Sequence, residues 1–378
     1  IIYSAEEDRV VTISGLGTWP AATDPEFFTR EYPDSVPEGI LRCIVPGAPA
    51  AWIMALERYG SMTFGEVASA SIKLARDGFA MYALMAELLA EKAEKYARWD
   101  ANAEIYLPGG HSPKVGENFR QEDLGRSLQY MADCEAAAGG DRIAGLRAAR
   151  DAFYKGDIAR KISTYHEDNG GLIRMEDLAS FEVEVEDALR IDVAGTKVYS
   201  CGPWCQGPML LQIMQLLQGQ NLSGMGHNSA AYIHHVTEAV KLAVADRERW
   251  YGDPRFVDVP MDMLLSDDYA KQRRAMIDPE SAWPEMPPSG DPRAPRVEPS
   301  PTPLTALDTS YACVVDAKGN VFSATPSDTS SDGPVIPGLG FVPSSRGSQS
   351  RPNPQHPSSI EPGKRPRTSL SPSMTLKD

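Results

Sequence analysis

The 378-residue chain is poor in cysteine and short of positive charge: it carries five Cys, and 37 Lys and Arg against 52 Asp and Glu. The net charge of −15 argues against nucleic acid and against an anionic membrane as partners. An acidic surface mainly confers solubility and does not by itself call for a basic partner. The cysteines (Cys43, Cys134, Cys201, Cys205 and Cys313) are odd in number and scattered. They read as isolated thiols in a reducing compartment and not as a disulfide framework. Cys201 and Cys205 have no second Cys or His pair nearby, so no zinc site is expected. No apolar run reaches the ~18 residues of a membrane-spanning helix. The start, Ile1-Ile2-Tyr3, carries no signal-peptide layout and falls inside what reads as a strand. The expectation is a piece of a longer chain. Its location is read as cytoplasmic, with the periplasm left open by that start.

What is present is ordinary for a globular domain: 42% hydrophobic and 24% charged residues. Ile1 to Ser14 reads as a β-hairpin around Glu6-Glu7-Asp8. Residues 46–180 are expected to be mostly helical, with helices over Ala50–Arg58, Thr63–Arg76, Met81–Trp99, Gln121–Ala138, Ala144–Gly156 and Ile158–Glu167. Phe181–Glu186, Leu189–Val193 and Lys197–Ser200 alternate as antiparallel strands with one wet face, which makes the acids at 182, 184, 186 and 187 solvent-facing. The loop Cys201–Pro208 leads into a helix, Met209 to Leu217, but lacks the Lys-Ser/Thr ending of a nucleotide-binding loop. A long helix follows from Ala230 to Tyr251. Its His234/Glu238 pair has metal-ligand spacing, and surface packing is the simpler reading. Strands and helices in this order fit an α/β class with helices covering sheets.

Between Trp283 and Pro303 lie eight prolines, which exclude helix and central strand. The pattern then changes at once. Tyr311–Val315, the turn Asp316–Asn320 and Val321–Thr325 read as a buried hairpin. Thr309-Ser310 stands at its entrance. Two readings of Thr309 are open. It starts a strand, as hydroxyl residues commonly do. Alternatively, the chain is cut before it, and the freed α-amine serves as base for the same residue's hydroxyl. An α-amino group, with an unperturbed pKa of about 7.7–8.0, suits that role near neutrality. The Ser/Pro/Gly-rich tract from Ser327 to Gly363 is too long for a simple connection, which points to a functional loop.

Several stretches together resemble the γ-glutamyltransferases (glutathione hydrolases), N-terminal-nucleophile hydrolases made as proenzymes. They are Val45–Pro49, Lys73–Phe79, Phe153–Gly156, Asn169–Ile173, Tyr251–Pro254, Thr309–Asp316, and Pro362–Pro366 with Ser371-Pro372. The resemblance implies an αββα four-layer sandwich and autocatalytic cleavage between Asp308 and Thr309. A large-subunit part, 1–308, would end in a Pro-rich linker over 284–308. A small-subunit part, 309–378, would form one domain with it. No cofactor or metal is implied. The partners implied are a small-molecule amide or peptide substrate and the two subunits of one precursor.

Residue by residue, Thr309 falls on the family's nucleophile. Ser327 falls on a threonine hydroxyl that supports the nucleophile's amine. Thr329 replaces a substrate-binding asparagine. Thr368 and Ser369 fall on a serine pair that helps to hold the substrate's α-carboxylate. Two departures stand out. Leu16 occupies the place of a carboxylate-binding arginine, and the tract Val342–Ser350 contains no acid where the family has an aspartate for the α-ammonium. Both losses weaken the case for γ-glutamyl recognition. Arg346 offers a replacement clamp for a carboxylate, with a solvated loop arginine as the plainer alternative. The family's oxyanion-hole glycines are expected beyond Asp378, so residues 1–378 are expected to be inactive by themselves. The resulting expectation is an autoprocessing amidohydrolase or acyltransferase of glutathione metabolism. The alternatives are an amidase or acylase for a small acidic amide, resembling the oxamate amidohydrolase or cephalosporin acylase branches, and a non-catalytic member.

Overall fold

The computed structural model describes residues 1–290 and 309–377. The expected linker is therefore described only as far as Gly290, and Asp308, with the expected cut, lies outside the described residues. Ten strands are present among them: β1 (Ile2–Ser4), β2 (Arg9–Ile13), β3 (Phe79–Ala80), β4 (Asn118–Phe119), β5 (Val185–Asp187), β6 (Leu189–Val193), β7 (Thr196–Ser200), β8 (Ala312–Val315), β9 (Val321–Ala324) and β10 (Ser373–Leu376). They form an antiparallel five-stranded sheet in the order β5-β2-β1-β9-β8, a three-stranded sheet β10-β7-β6, and the small pair β3-β4.

The two larger sheets face each other. Ile1, Tyr3, Val10 and Val321 from the first pack against Tyr199, Met374 and Leu376 from the second. The helix Ala48–Tyr59 covers the outer side of the first sheet, with Ala50 and Ile53 joining Ile13 in one apolar cluster. The helix Gly207–Leu217 covers the second, with Leu211 and Met214 on Ile191 and Val198. Helix, sheet, sheet and helix are the four layers expected of the αββα class. Successive residues of β7 explain the arrangement: Val198 packs toward the helix and Tyr199 toward the first sheet, so both faces of the second sheet need an apolar partner.

Local signals place most helices well. Thr63 caps the helix Phe64–Asp77 through a reciprocal bond pair with Glu66. Three expectations need correction. The helix expected over Met81–Trp99 is broken into Ala83–Glu91 and Ala93–Tyr96, and the break brings Tyr96 against Tyr106 with ring centroids 4.4 Å apart. The strand expected from Phe181 pairs only from Val185, because Phe181 and Val183 turn into the helical core instead. The hairpin after Thr309 is not buried: every residue of β8 is exposed, and β8 is an edge strand among the described residues. A helix over Pro25–Glu31, capped by Asp24, adds to the expected set.

Candidate active site

The five-stranded sheet delivers Thr309 to the start of its edge hairpin. The backbone N–H of Ser310 donates to the Pro326 carbonyl at 3.0 Å, which fastens the two ends of the hairpin together. That closure brings the Thr309 hydroxyl 2.9 Å from the Ser327 hydroxyl, 18 residues away in sequence. Thr309 itself is exposed.

Arg346 approaches from the other side. It opens a short 3-10 turn, Arg346–Gln349, and only 9% of its surface is exposed. Its Nε donates to the Ser327 carbonyl at 2.7 Å, and its Nη1 reaches the Thr368 hydroxyl at 3.4 Å. The next residue explains how it gets there. A side chain at Gly347 would meet the Arg42 carbonyl at 2.3 Å and the Trp19 ring at 2.8 Å, so glycine alone lets the turn press this close. Arg346 is thus a built-in part of the cluster and not a solvated loop arginine.

Thr329 and Ser345 join their hydroxyls at 2.8 Å. Asp328, between Ser327 and Thr329, accepts from the Ser345 N–H at 3.0 Å and from the Ser345 hydroxyl at 2.5 Å. The tract 342–350 lacks an acid in its own sequence, yet one reaches it across the fold. Sequence order hides this, because the partners are 17 residues apart. Thr368 is fully buried and its N–H donates to the Trp204 carbonyl at 3.0 Å. Ser369 is exposed, and its carbonyl accepts from Gln206 Nε2 at 2.8 Å. The loop Cys201–Pro208 therefore serves to hold the segment 368–370, a task completed by Gln206 N–H on the Leu370 carbonyl at 2.9 Å.

Thr309, Ser327, Arg346 and Thr368 form one connected chain of contacts, and Thr329 joins through Ser345 and Asp328. Leu16 lies apart from them in an apolar cluster with Trp19, Phe28, Ile44 and Trp204. The thiol of Cys43 is no rival nucleophile: burial first, then the Asp328 charge, pushes it up to about 12. A cleft of about 430 Å³ lined by Thr18, Asp177, Glu182 and Arg255 shares no residue with the cluster. Among the described residues, Thr309 lies exposed beside convergent hydroxyls and one guanidinium.

Beneath the cluster runs a buried basic segment. Lys364 bonds Glu361 at 2.7 Å, Arg365 bonds Glu186 at 2.7 Å and Asp253 at 3.1 Å, and Arg367 bonds Glu248 at 2.7 Å. Glu186, expected on a wet strand face, is instead a structural acid that also accepts from Trp204 Nε1 at 2.7 Å. Glu238 is likewise no surface partner of His234. It is 1% exposed, pairs with Lys241 at 2.7 Å and accepts from the Trp283 N–H at 3.2 Å. Burial opposes ionisation of Asp253, but bonding from Arg255 and the charge of Arg365 win and hold it at about 2. These pairs fix the segment that leads into Thr368.

A sequence model of the gamma-glutamyltranspeptidase family matches residues 1–378. Acylase ACY 1 proenzyme of Pseudomonas sp. (strain SE83) is 31% identical over 389 residues, covering 98% of this chain and 64% of that protein. Glutathione hydrolase proenzyme of Bacillus subtilis (strain 168) is 27% identical over 394 residues, covering 100% and 64%. The chain thus spans 64% of the length of these curated relatives. The crystal structure of Helicobacter pylori γ-glutamyltranspeptidase superposes with a TM-score of 0.67 at 28% identity, over 75% of this chain and 80% of that one. On these likenesses and the four-layer fold, the chain belongs to the γ-glutamyltranspeptidase family.

Proposed function

We propose that the protein is an autoprocessing amidohydrolase or acyltransferase whose nucleophile is Thr309. The contact between the Thr309 and Ser327 hydroxyls at 2.9 Å carries the reading, because it supports the reacting oxygen with a second hydroxyl. After a cut before Thr309, its oxygen attacks an amide carbonyl while the residue's own α-amine takes the hydroxyl proton and later returns it to the leaving amine. The acyl group, held on Thr309 as an ester, passes to water or to an amine. The relatives named as proenzymes support the cut. The full-length protein on a denaturing gel tests it. Two bands are expected, the smaller beginning at Thr309 by N-terminal sequencing, and Thr309→Ala should give one band and no amide turnover. A wild-type chain that stays whole would overturn the reading and leave a non-catalytic member.

A second reading concerns the substrate. The carboxylate clamp for an acidic acyl group outside the γ-glutamyl class is assigned to Arg346, buried beside Ser327, and one relative carries the name of an acylase. A guanidinium fork matches the two oxygens of a carboxylate. Comparing a γ-glutamyl anilide with oxamate-type amides decides this: ordinary affinity for the anilide alone would exclude the acylase reading.

A further inference from the structure

We propose that Arg247, Arg351 and Arg367 form a binding site for a small divalent oxyanion, with inorganic phosphate as its simplest occupant. The site lies one residue from Thr368 and stands whether or not Thr309 reacts. Arg247 comes from the last turn of the helix Ala230–Trp250. Arg351 and Arg367 are brought together by Ser358: the Arg351 N–H donates to its carbonyl at 2.9 Å, and the Arg367 N–H donates to its hydroxyl at 3.1 Å. Arg367 then reaches back to the helix, with Nη1 on the Arg247 carbonyl at 2.9 Å.

One acid serves the group. Glu248 Oε1 accepts from Arg247 Nη1 at 3.0 Å and from Arg367 Nη2 at 2.7 Å, while its Oε2 faces His356 Nε2 at 3.4 Å. His356 adds no charge. Its Nδ1 accepts from the Ser358 N–H at 2.9 Å, so the ring's one proton is on Nε2, and burial holds its pKa below the ordinary value. Arg351 has no acid within ion-pair distance among the described residues, and its Nε is buried without a partner, as are the Nε atoms of Arg247 and Arg367. Arginine stays charged, so three guanidiniums against one carboxylate leave two positive charges in excess. The side chains of Arg367 and Glu248 are 1% and 7% exposed, which holds that excess where unmatched charge is costly. The mutual repulsion shows in two members: burial first, then the charge of Arg367, lowers Arg351 and brings Arg247 down to about 10. A doubly charged oxyanion cancels the excess, and guanidinium forks match its oxygens. Arg351 is half-buried and leads to the exposed Asn353 and Gln355, a way in for a small ion. The depth of Arg367 favours a free ion over a phosphoryl group carried on a larger molecule.

The test titrates inorganic phosphate into the full-length protein at constant ionic strength, with chloride making up the balance. Binding is read twice, by calorimetry and by the rise of the unfolding midpoint with the logarithm of phosphate concentration. Wild type should show one saturable site. R351Q removes a charge and a fork from a half-buried position and should weaken the Kd about tenfold or more. E248Q raises the excess to three charges and should tighten it, on a lower starting midpoint; if E248Q does not fold, R351Q decides. α-Glycerol phosphate, run alongside, should bind more weakly than the free ion. Neither heat nor midpoint shift in wild type, the same phosphate response in wild type and R351Q, or weaker binding in folded E248Q would overturn the site. Equal or tighter binding of the ester would overturn the free ion as its occupant. None of these readouts passes through amide turnover or the cut before Thr309, so a failure here leaves the proposed function standing.

Discussion

At the scale of single residues, each hydroxyl in the cluster has a separable task. Ser327 bonds the hydroxyl of Thr309, the proposed nucleophile, so Ser327→Ala should lower kcat about tenfold or more while KM changes little, and Ser327→Thr should recover most of the loss. Steady-state kinetics on one amide substrate checks this. On the proposed clamp, Arg346→Met should raise KM about tenfold for acyl groups with a free carboxylate and leave their neutral esters unaffected. Arg346→Lys should restore only part, since a lysine keeps the charge but not the fork. Thr309 is legible in the sequence as the residue that opens a local hairpin with a recognisable turn at Asp316–Asn320, and Ser327 through the family resemblance. Asp328 is not, since an acid matters here through Ser345, and no local pattern announces which loop will lie across which strand.

At the scale of elements, the segment from Lys364 to Thr368 is unusual in burying three cations in five residues, each matched to an acid. Asp253 illustrates the pH consequence. Its carboxyl sits at about 2 in the folded protein against an ordinary 3.8, so it contributes stability that is whole above about pH 4 and is lost as pH falls through about 2. A shift of this size is worth about 2 kcal/mol. Acid unfolding followed by circular dichroism should therefore be less steep in Asp253→Asn between about pH 4 and pH 2, on a lower stability at neutral pH. Sequence periodicity locates these elements but misjudges their surroundings. The alternation of Phe181–Glu186 is real, yet Glu186 faces Trp204 and Arg365 and not water. Periodicity tells one face from the other; it does not say which face the rest of the chain will cover.

At the scale of the molecule, β8 leaves an apolar edge. Tyr311, Val314 and Val315 are 60% or more exposed beside strand backbone that no further described strand pairs, a template for pairing between copies. Val315→Lys should reduce self-association of residues 1–378, as light scattering against concentration would show. The same sheets carry a second consequence. Strand β1 precedes the expected cut and pairs with β9 beyond it, while β7 precedes it and pairs with β10. The contact between Thr309 and Ser327 exists only once β8 has folded back on β9 beside β1. Any scission that uses that contact has to wait for the fold to be complete. If the proposed cut is made, topology sets the order of events: a newly made chain would carry a latent nucleophile, maturation would report that folding has succeeded, and the two products, each supplying strands to the other's sheets, would share one melting transition and one fate.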